Sequence, residues 1–157
     1  MRLAVVVLVA LALALAGCGG GDGDDGGDES PAQFAVRITS LLRDGDFDNA
    51  WRDLHPAQQK LVDRSKLEAC WTQTDDVLNN PDVRLEVTDV ADVKWHIPGT
   101  SLTSPSKAIE VHAVVPRATG GTRTLEQWTQ HAFAVEGEGW TWILAPAMVA
   151  DARNDVC

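Results

Sequence analysis

Apolar residues recur at two different spacings along this chain, and the change of spacing divides it into a helical half and a strand half. Between Phe34 and Trp71, large apolar side chains fall three or four positions apart, which is the period of an amphipathic helix. From Val83 onward, apolar and polar residues alternate, which is the period of a half-buried strand. Helices followed by an antiparallel meander predict an α+β domain.

Within the helical half, short polar segments mark where helices begin and end. Residues 30–33, Ser-Pro-Ala-Gln, form a capping box with proline at the first helical position, which predicts a first helix. An Asp-Gly-Asp break at 44–46 precedes a second helix over 47–54, and Pro56 opens a short helical turn. A second capping box, at 65–68, predicts the start of a further helix.

The strand half is divided by loops and glycine turns. Alternation over 83–97 predicts a first strand, and Asp89, which falls on its apolar phase, indicates a bulge or turn. Residues 98–105 are predicted to form a loop. Alternation after that loop predicts three more strands, over 109–115, 125–136 and 140–144. The sheet is therefore expected to have about four antiparallel strands.

This order of elements resembles the NTF2-like family. The resemblance rests on the first helix, the Gly45-Asp46 break, a helix bearing Trp51, a helix ending near Trp71, and a last strand that opens at 139–142. It covers nearly all of residues 31–157. It implies a cone, in which N-terminal helices pack on a curved antiparallel sheet and leave a pocket. A fold names no activity by itself.

Residues 1–17 have the parts of an export signal. Met1-Arg2 supplies one positive side chain, residues 3–15 contain only Leu, Val and Ala, and small residues follow. A transmembrane anchor is the alternative. As a helix, however, residues 3–16 would rise only about 21 Å, against a hydrocarbon core of about 30 Å. We therefore predict a signal peptide over 1–17.

The signal ends on Leu15-Ala16-Gly17-Cys18, which resembles the lipobox of bacterial lipoproteins at all four positions. The resemblance implies a diacylglyceryl group on the Cys18 thiol, cleavage before Cys18, and acyl chains such as palmitate. These would hold the protein at the extracytoplasmic face of the cell membrane, because two or more chains anchor a protein stably. A plain secretory signal without lipid is the alternative.

Residues 18–30 are predicted to be a tether between this anchor and one domain over 31–157. Gly19 to Glu29 contains only Gly, Asp and Glu, so it cannot bury apolar surface and should be flexible and extended. A calcium loop is the alternative, but the rest of the EF-hand pattern is missing. The domain is long enough for a single core.

Besides Cys18, the chain contains Cys70 and Cys157. An exported protein meets an oxidising compartment, so this even pair is expected to form a disulfide. Two free thiols are the alternative, since sequence spacing does not show that the two Cα atoms lie within bonding distance.

The formal net charge of −10 narrows the possible partners. An acidic surface repels the phosphates of nucleic acids and the head groups of anionic lipids. We therefore expect no nucleic acid partner, and membrane contact is assigned to the lipid on Cys18.

Two polar residues on apolar strand phases, Asp89 and His131, are candidates for catalysis. In enzymes of the NTF2-like superfamily an Asp or an Asp/His pair inside the cone does acid–base work, which implies that role for a buried Asp89–His131 pair. Against it, Asp89 lies at the predicted bulge, and Gln127 and Thr129 share the phase of His131. That phase is polar enough to face solvent.

Patterns for other chemistry are missing from the sequence. The histidines and the pair Cys70 and Cys157 lack the close spacing of a zinc site, and Gly-x-Ser-x-Gly is absent. The glycine-rich run after Cys18 lacks the Gly-Lys-Ser/Thr ending of a phosphate loop. We expect no metal and no cofactor.

The aromatic residues include six tryptophans and no tyrosine. Five of them fall on apolar stripes and are expected in the core: Trp51, Trp71, Trp95, Trp140 and Trp142. Trp128 lies between Glu126 and Gln130 on one strand face and is expected to be the exposed one. An exposed indole can contact a sugar ring or a protein partner.

Together these observations predict a non-enzymatic lipoprotein domain at the cell envelope that binds a small apolar ligand or an envelope protein. Two alternatives remain open: an acid–base enzyme using Asp89 and His131, and an accessory module that supports another envelope protein by surface contact alone. A homodimer also remains open, since cone folds of this kind often pair through their sheets.

Overall fold

The computed structural model describes residues 29–71 and 77–157, in which four helices precede a four-stranded antiparallel sheet and a fifth helix follows it. The strands are ordered β1-β2-β3-β4, so the predicted α+β class and meander are confirmed. The NTF2-like cone shape stays a prediction. The predicted signal peptide, Cys18 and most of the tether lie outside the described residues. The elements are α1 Pro31–Arg43, α2 Phe47–Arg52, α3 Pro56–Gln59, α4 Arg64–Trp71, β1 Arg84–His96, β2 Thr103–Pro116, β3 Thr122–Val135, β4 Gly139–Trp142 and α5 Pro146–Arg153.

Helix α1 begins at the predicted capping box. The Ser30 hydroxyl accepts a hydrogen bond from the Gln33 amide, and the Gln33 side chain accepts one from the Ser30 amide in return. This reciprocal pair satisfies two backbone donors that have no partner within the helix. The apolar face of α1, which includes Phe34 and Ile38, is buried in the same core as Ile109 of β2. The helix therefore packs against the sheet.

The N-terminal end of the domain is fastened by Glu29. Both carboxylate oxygens of Glu29 accept hydrogen bonds from the Arg37 guanidinium, at 2.8 and 3.0 Å, and Arg37 also binds Asp53 at 2.6 Å. The Glu29 carbonyl accepts a hydrogen bond from the Trp140 indole at 3.0 Å. The carboxylates of Glu29 and Asp53 raise the pKa of the Arg37 guanidinium above its ordinary value, because they stabilise its charged form. The last acidic residue of the predicted tether is thus part of the folded domain.

Helix α4 begins earlier than its predicted capping box. Arg64 is already helical, and the amides of Lys66 and Leu67 donate to the carbonyl of Asp63. Ser65 is therefore inside the first turn and does not cap it. The Arg64 guanidinium also binds the carboxylates of Asp48 in α2 and Glu68 one turn later, which favours a start at Arg64 over one after Ser65.

Strand β1 is continuous through the predicted interruption. Its register with β2 shifts between Val87 and Asp89, so Thr88 is an extra residue in a bulge. Before the bulge, Val87 pairs with Val111; after it, Trp95 pairs with Ser104. Because Val111 and Ser104 lie on opposite faces of β2, the bulge turns Val93 and Trp95 away from the face that carries Leu85 and Val87.

The loop between β1 and β2 is shorter than predicted and packs against α5. The Ile97 amide donates to the Leu102 carbonyl at 2.9 Å, and β2 begins at Thr103. Gly99 has φ +80°, and a Cβ there would lie 2.8 Å from Val149 and 2.9 Å from Leu61. Glycine is required at this position both by the backbone conformation and by the close approach.

Helix α5 was not predicted. Proline opens it, no side chain caps it, and it is rich in alanine, so neither a capping motif nor a strong apolar stripe marks it in the sequence. Its side chains Val149 and Ala152 are buried in the main core. It follows β4 closely and returns the chain to α4.

Cys70, at the end of α4, and Cys157, after α5, form a disulfide, as predicted. Their Cα atoms are 4.8 Å apart, and Cys70 is buried in the main core. The bond fixes the end of α5 against α4.

Replacing Cys70 and Cys157 together by alanine should lower the free energy of unfolding by about 4–5 kcal/mol, since the bridge restricts the unfolded chain across a long loop. Urea unfolding of the purified full chain measures the difference. Dithiothreitol should bring the wild-type protein to the stability of the double variant and leave the variant unchanged. Equal stability of the two oxidised proteins would contradict this role of the bridge.

Candidate ligand-binding cavity

A cavity of about 670 Å³ lies where β4 ends and the chain leaves the sheet. Strand β4 pairs only with residues 132–135 of β3. Within the described parts of the chain, no strand pairs with the same edge of β3 before Ala132. The segment 142–148 passes beside this free edge, and α1, the end of α4 and β1 complete the walls. The volume is within the range of about 300–1,000 Å³ that is usual for small-molecule sites.

Four of the six tryptophans line this cavity: Trp71, Trp95, Trp128 and Trp142. Aliphatic side chains from several elements complete the apolar wall, among them Leu42, Leu78, Val93, Ile143 and Met148. Indole rings supply large, rigid apolar surfaces and, through their N–H groups, a polar contact. The wall is suited to a mainly apolar ligand.

Trp128 is not the exposed tryptophan that the sequence suggested. It pairs with Val111, which is fully buried, and packs against the core. The prediction was wrong because it took the polar residue Gln130, on the same strand face, as a sign that this face is exposed to solvent. Gln130 also points to the core side, where its side-chain oxygen accepts a hydrogen bond from the Thr39 hydroxyl on α1 at 3.3 Å. A polar residue with an internal partner does not require solvent.

Trp95, predicted to be in the core, is 43% exposed. The bulge at residue 88 explains the difference, because it places Trp95 on the face of β1 opposite to Leu85. There its ring stacks on His131, with ring centroids 4.0 Å apart and an angle of 15° between the planes. Trp95 thus covers His131 at the wall of the cavity.

His131 is only 8% exposed, although its strand phase suggested that it faces solvent. Burial lowers the pKa of His131 below its ordinary value, because a charged imidazolium is poorly solvated beneath the Trp95 ring. The Nδ1 atom of His131 is buried and has no hydrogen-bond partner in the described residues. The ring is therefore held mainly by stacking.

A second buried polar atom beside the cavity also lacks a partner among the described residues. The side-chain nitrogen of Gln130 makes no hydrogen bond, although its oxygen is bound by Thr39. An unsatisfied buried polar group costs about 1–3 kcal/mol. A ligand with a hydrogen-bonding group would recover part of this cost at Gln130 or His131.

Asp89 and His131 are not brought together. Asp89 is exposed at the bulge and pairs with Glu110, whereas His131 pairs with Ala108. No hydrogen bond joins the two side chains, and Asp89 does not line the cavity. His131 thus lies at the candidate site without the carboxylate that the acid–base hypothesis assigned to it.

The remaining histidines have local partners or are exposed. His55 caps α3, since its Nδ1 accepts a hydrogen bond from the Ala57 amide, and its ring meets Phe133 edge to face. Burial lowers the pKa of His55. His112 binds the Glu110 carboxylate at 2.8 Å, and His96 is exposed. Residues 29–71 and 77–157 contain no cluster of three or more His, Cys, Asp or Glu side chains able to hold a metal ion.

Comparison of the chain with protein-family models, with curated proteins and with solved structures found no match. In the described part of the chain, no helix has the length and apolar character needed to cross a membrane.

The His131→Phe variant should make the stability of the protein less sensitive to acid. A histidine with a lowered pKa contributes stability that is present above the unfolded value of 6.5 and is lost as the pH falls toward the folded value. Phenylalanine keeps a ring against Trp95 but takes up no proton. Urea unfolding between about pH 7 and pH 5 should show a smaller loss in the variant, with the slope due to His55 remaining.

The His96→Phe variant is the matched control, since it makes the same change at an exposed position on β1. Its stability at about pH 7 should equal that of the wild-type protein, because an exposed ring makes few packing contacts. If His131→Phe keeps the full wild-type slope between about pH 7 and pH 5, the burial of His131 does not affect its protonation.

Proposed function

We propose that this protein is an exported, membrane-anchored lipoprotein whose NTF2-like domain binds a small, mainly apolar ligand without catalysing a reaction. The cavity with its four tryptophans carries the binding part of the proposal. Such a concave and mostly apolar site, with few polar groups, is the usual form of a small-molecule site.

The polar groups beside the cavity favour binding over acid–base catalysis. His131 has no carboxylate partner in the described residues, and its lowered pKa keeps the ring neutral at neutral pH. Gln130 offers a free N–H donor. These groups fit a ligand that is apolar over most of its surface and carries a hydrogen-bond acceptor.

The anchoring part of the proposal is supported by the sequence. The Leu15-Ala16-Gly17-Cys18 motif follows an apolar run of signal-peptide length, and the Cys70–Cys157 disulfide suits an oxidising compartment. Lipid on Cys18 would hold the domain at the outer face of the membrane.

A second candidate is an envelope protein partner that adds an extended segment to the free edge of β3. Strand β4 leaves residues 122–131 of β3 without a partner on that side in the described residues, and such an edge can accept a strand from another chain. The retained species distinguishes the two candidates, because one is a small molecule and the other a polypeptide.

Thr129→Trp should remove the retained ligand. Thr129 is exposed and lines the cavity, so an indole at this position would fill space at the mouth without disturbing the buried core. Native mass spectrometry of the detergent-solubilised full chain should detect a bound small molecule in the wild-type protein and at least about tenfold less in the variant, which corresponds to about 1.4 kcal/mol of lost affinity.

Thr124→Trp is the matched control, because Thr124 is exposed on the same strand but does not line the cavity. It should retain as much ligand as the wild-type protein. A wild-type protein that carries no small molecule, or equal retention in the two variants, would overturn the assignment of this cavity.

Cys18→Ser should abolish incorporation of an acyl label and move the protein out of the membrane fraction, because the thiol is the proposed attachment point for the lipid. Cell fractionation and labelling with an alkynyl fatty acid measure the two effects. The Cys70→Ala/Cys157→Ala variant serves as the control, since it removes the other two cysteines and keeps Cys18, and it should leave labelling unchanged. A Cys18→Ser protein that still takes up label and stays with the membrane would refute the anchor.

A further inference from the structure

The cavity opens next to a basic groove. This groove, of about 680 Å³, shares Lys94, Trp95, Pro98 and Pro146 with the wall of the cavity. It also contains His96 of β1 and Arg153 of α5, and no acidic side chain from residues 29–71 or 77–157 lines it. The side chains of Lys94, Arg153 and His96 therefore line one groove, and this groove borders the apolar cavity at Trp95.

The charges of Lys94 and Arg153 are not neutralised by neighbouring acids. Neither side chain forms an ion pair within the described residues. Asp92, two positions from Lys94, and Asp155, two positions after Arg153, are bonded to Lys107 and Lys66 instead. Asp151, two positions before Arg153, forms no ion pair with it. In a chain with a net charge of −10, this groove is a local positive site next to an apolar one. Glu126 is an acidic residue in the cavity wall, but it is remote from the end of the cavity at His131 and Trp95. It lies five residues before His131 on β3, which is about 17 Å along an extended strand.

The geometry points to an acidic amphiphile as the ligand, a single-chain lipid whose hydrocarbon lies in the tryptophan-lined cavity and whose carboxylate or phosphate group lies between Lys94 and Arg153. This inference rests on the proposed function and names the ligand class for the same cavity. Trp95 lies at the junction of the two environments, since it lines both of them. The apolar chain of such a lipid matches the cavity in polarity, and its acidic head group is complementary in charge to the basic groove.

The groove lies at the end of the sheet where the tether enters the domain. In an antiparallel meander, the end of β1 at His96 and the start of β4 at Gly139 belong to the same end of the sheet. Trp140, the second residue of β4, holds the carbonyl of Glu29. The outer strands of a four-stranded sheet are about 14 Å apart. This is less than the root-mean-square reach of roughly 20 Å that is expected for a flexible tether of the length of residues 19–29. A tether on Cys18 would therefore keep the groove close to the lipid surface.

Photo-crosslinking in a membrane tests this inference with the full lipidated chain in phosphatidylcholine vesicles. Three probes with the same dodecyl chain and a terminal diazirine are compared: a carboxylate, a phosphate and a neutral alcohol. Peptides that contain cavity residues such as Trp128 and Met148 should be labelled roughly tenfold more by at least one acidic probe than by the alcohol, because the head group makes charge-assisted hydrogen bonds. Comparison of the carboxylate with the phosphate then identifies the head group.

Lys94→Glu/Arg153→Glu should reduce labelling by the acidic probe to the level of the alcohol and leave labelling by the alcohol unchanged. Arg84→Glu is the control, since Arg84 is exposed, has no ion pair in the described residues and lies at the other end of β1. It should label like the wild-type protein. If the charge reversal also lowers labelling by the alcohol, Lys94→Gln/Arg153→Gln decides the matter, with the same expected loss for the acidic probe.

The outcomes separate this inference from the proposed function. Equal labelling of the cavity by acidic and neutral probes, or acidic labelling that survives both pairs of substitutions, overturns the acidic head group while the apolar cavity remains a binding site. Labelling by none of the probes above that of Thr129→Trp contradicts the proposed function as well.

Discussion

The buried amide of Gln58 holds together the segments that form one side of the cavity. Its nitrogen donates to the carbonyls of Pro98, at 3.1 Å, and Leu144, at 3.4 Å, and its oxygen accepts from the Leu144 amide at 2.7 Å. Gln58 is fully buried, so each of these bonds replaces one that water would otherwise supply. Through this one side chain, α3 fixes both the β1–β2 loop and the connection between β4 and α5. A buried polar group of this kind favours one arrangement of its neighbours, because any other arrangement leaves it unsatisfied.

Further contacts fix the two elements that flank the connection between β4 and α5. On the β4 side, Trp142 donates its backbone amide to Asp53, accepts from the His55 amide, and donates its indole N–H to Ala50 at 2.7 Å. The segment after α2 therefore continues the edge of the sheet. On the α5 side, Gly99 lets the β1–β2 loop approach Val149 closely, and the Cys157 bridge fixes the end of the helix. The fold itself therefore holds the cavity wall in place, and a preorganised site of this kind would lose less free energy to ordering on binding.

Sequence patterns predicted the parts of this fold that depend on local chemistry. The Ser30 capping box, the break around Gly45 and the alternation in β2 and β3 each follow from residues a few positions apart, and each is present. The partnership of Cys70 with Cys157 followed from their even number. Helix α5 escaped prediction because it has no capping motif, and its position depends on contacts with residues far away in sequence.

The candidate site was predicted less well, because it depends on which face each strand residue occupies. One extra residue in the β1 bulge moved Trp95 from the expected core to the cavity rim. Gln130 and Trp128 face inward because they pair with the buried Ile109 and Val111, and the Thr39 hydroxyl gives the Gln130 side chain a partner there. The burial of His131 comes from its stack with Trp95, a contact between two strands that pattern analysis did not align. Cys18 lies outside the described residues, and its lipidation stays a prediction.

The position of the disulfide limits the effect of a single proteolytic cut. The covalent ring closed by Cys70 and Cys157 includes every strand and α5. The exposed turn at Gly120 and Gly121 is an accessible place for cleavage, since protruding turns of small residues are preferred sites. A single cut there would leave two polypeptides still joined through sulfur, with β3 and β4 held beside their partners. One nick would therefore release no part of the sheet from the molecule.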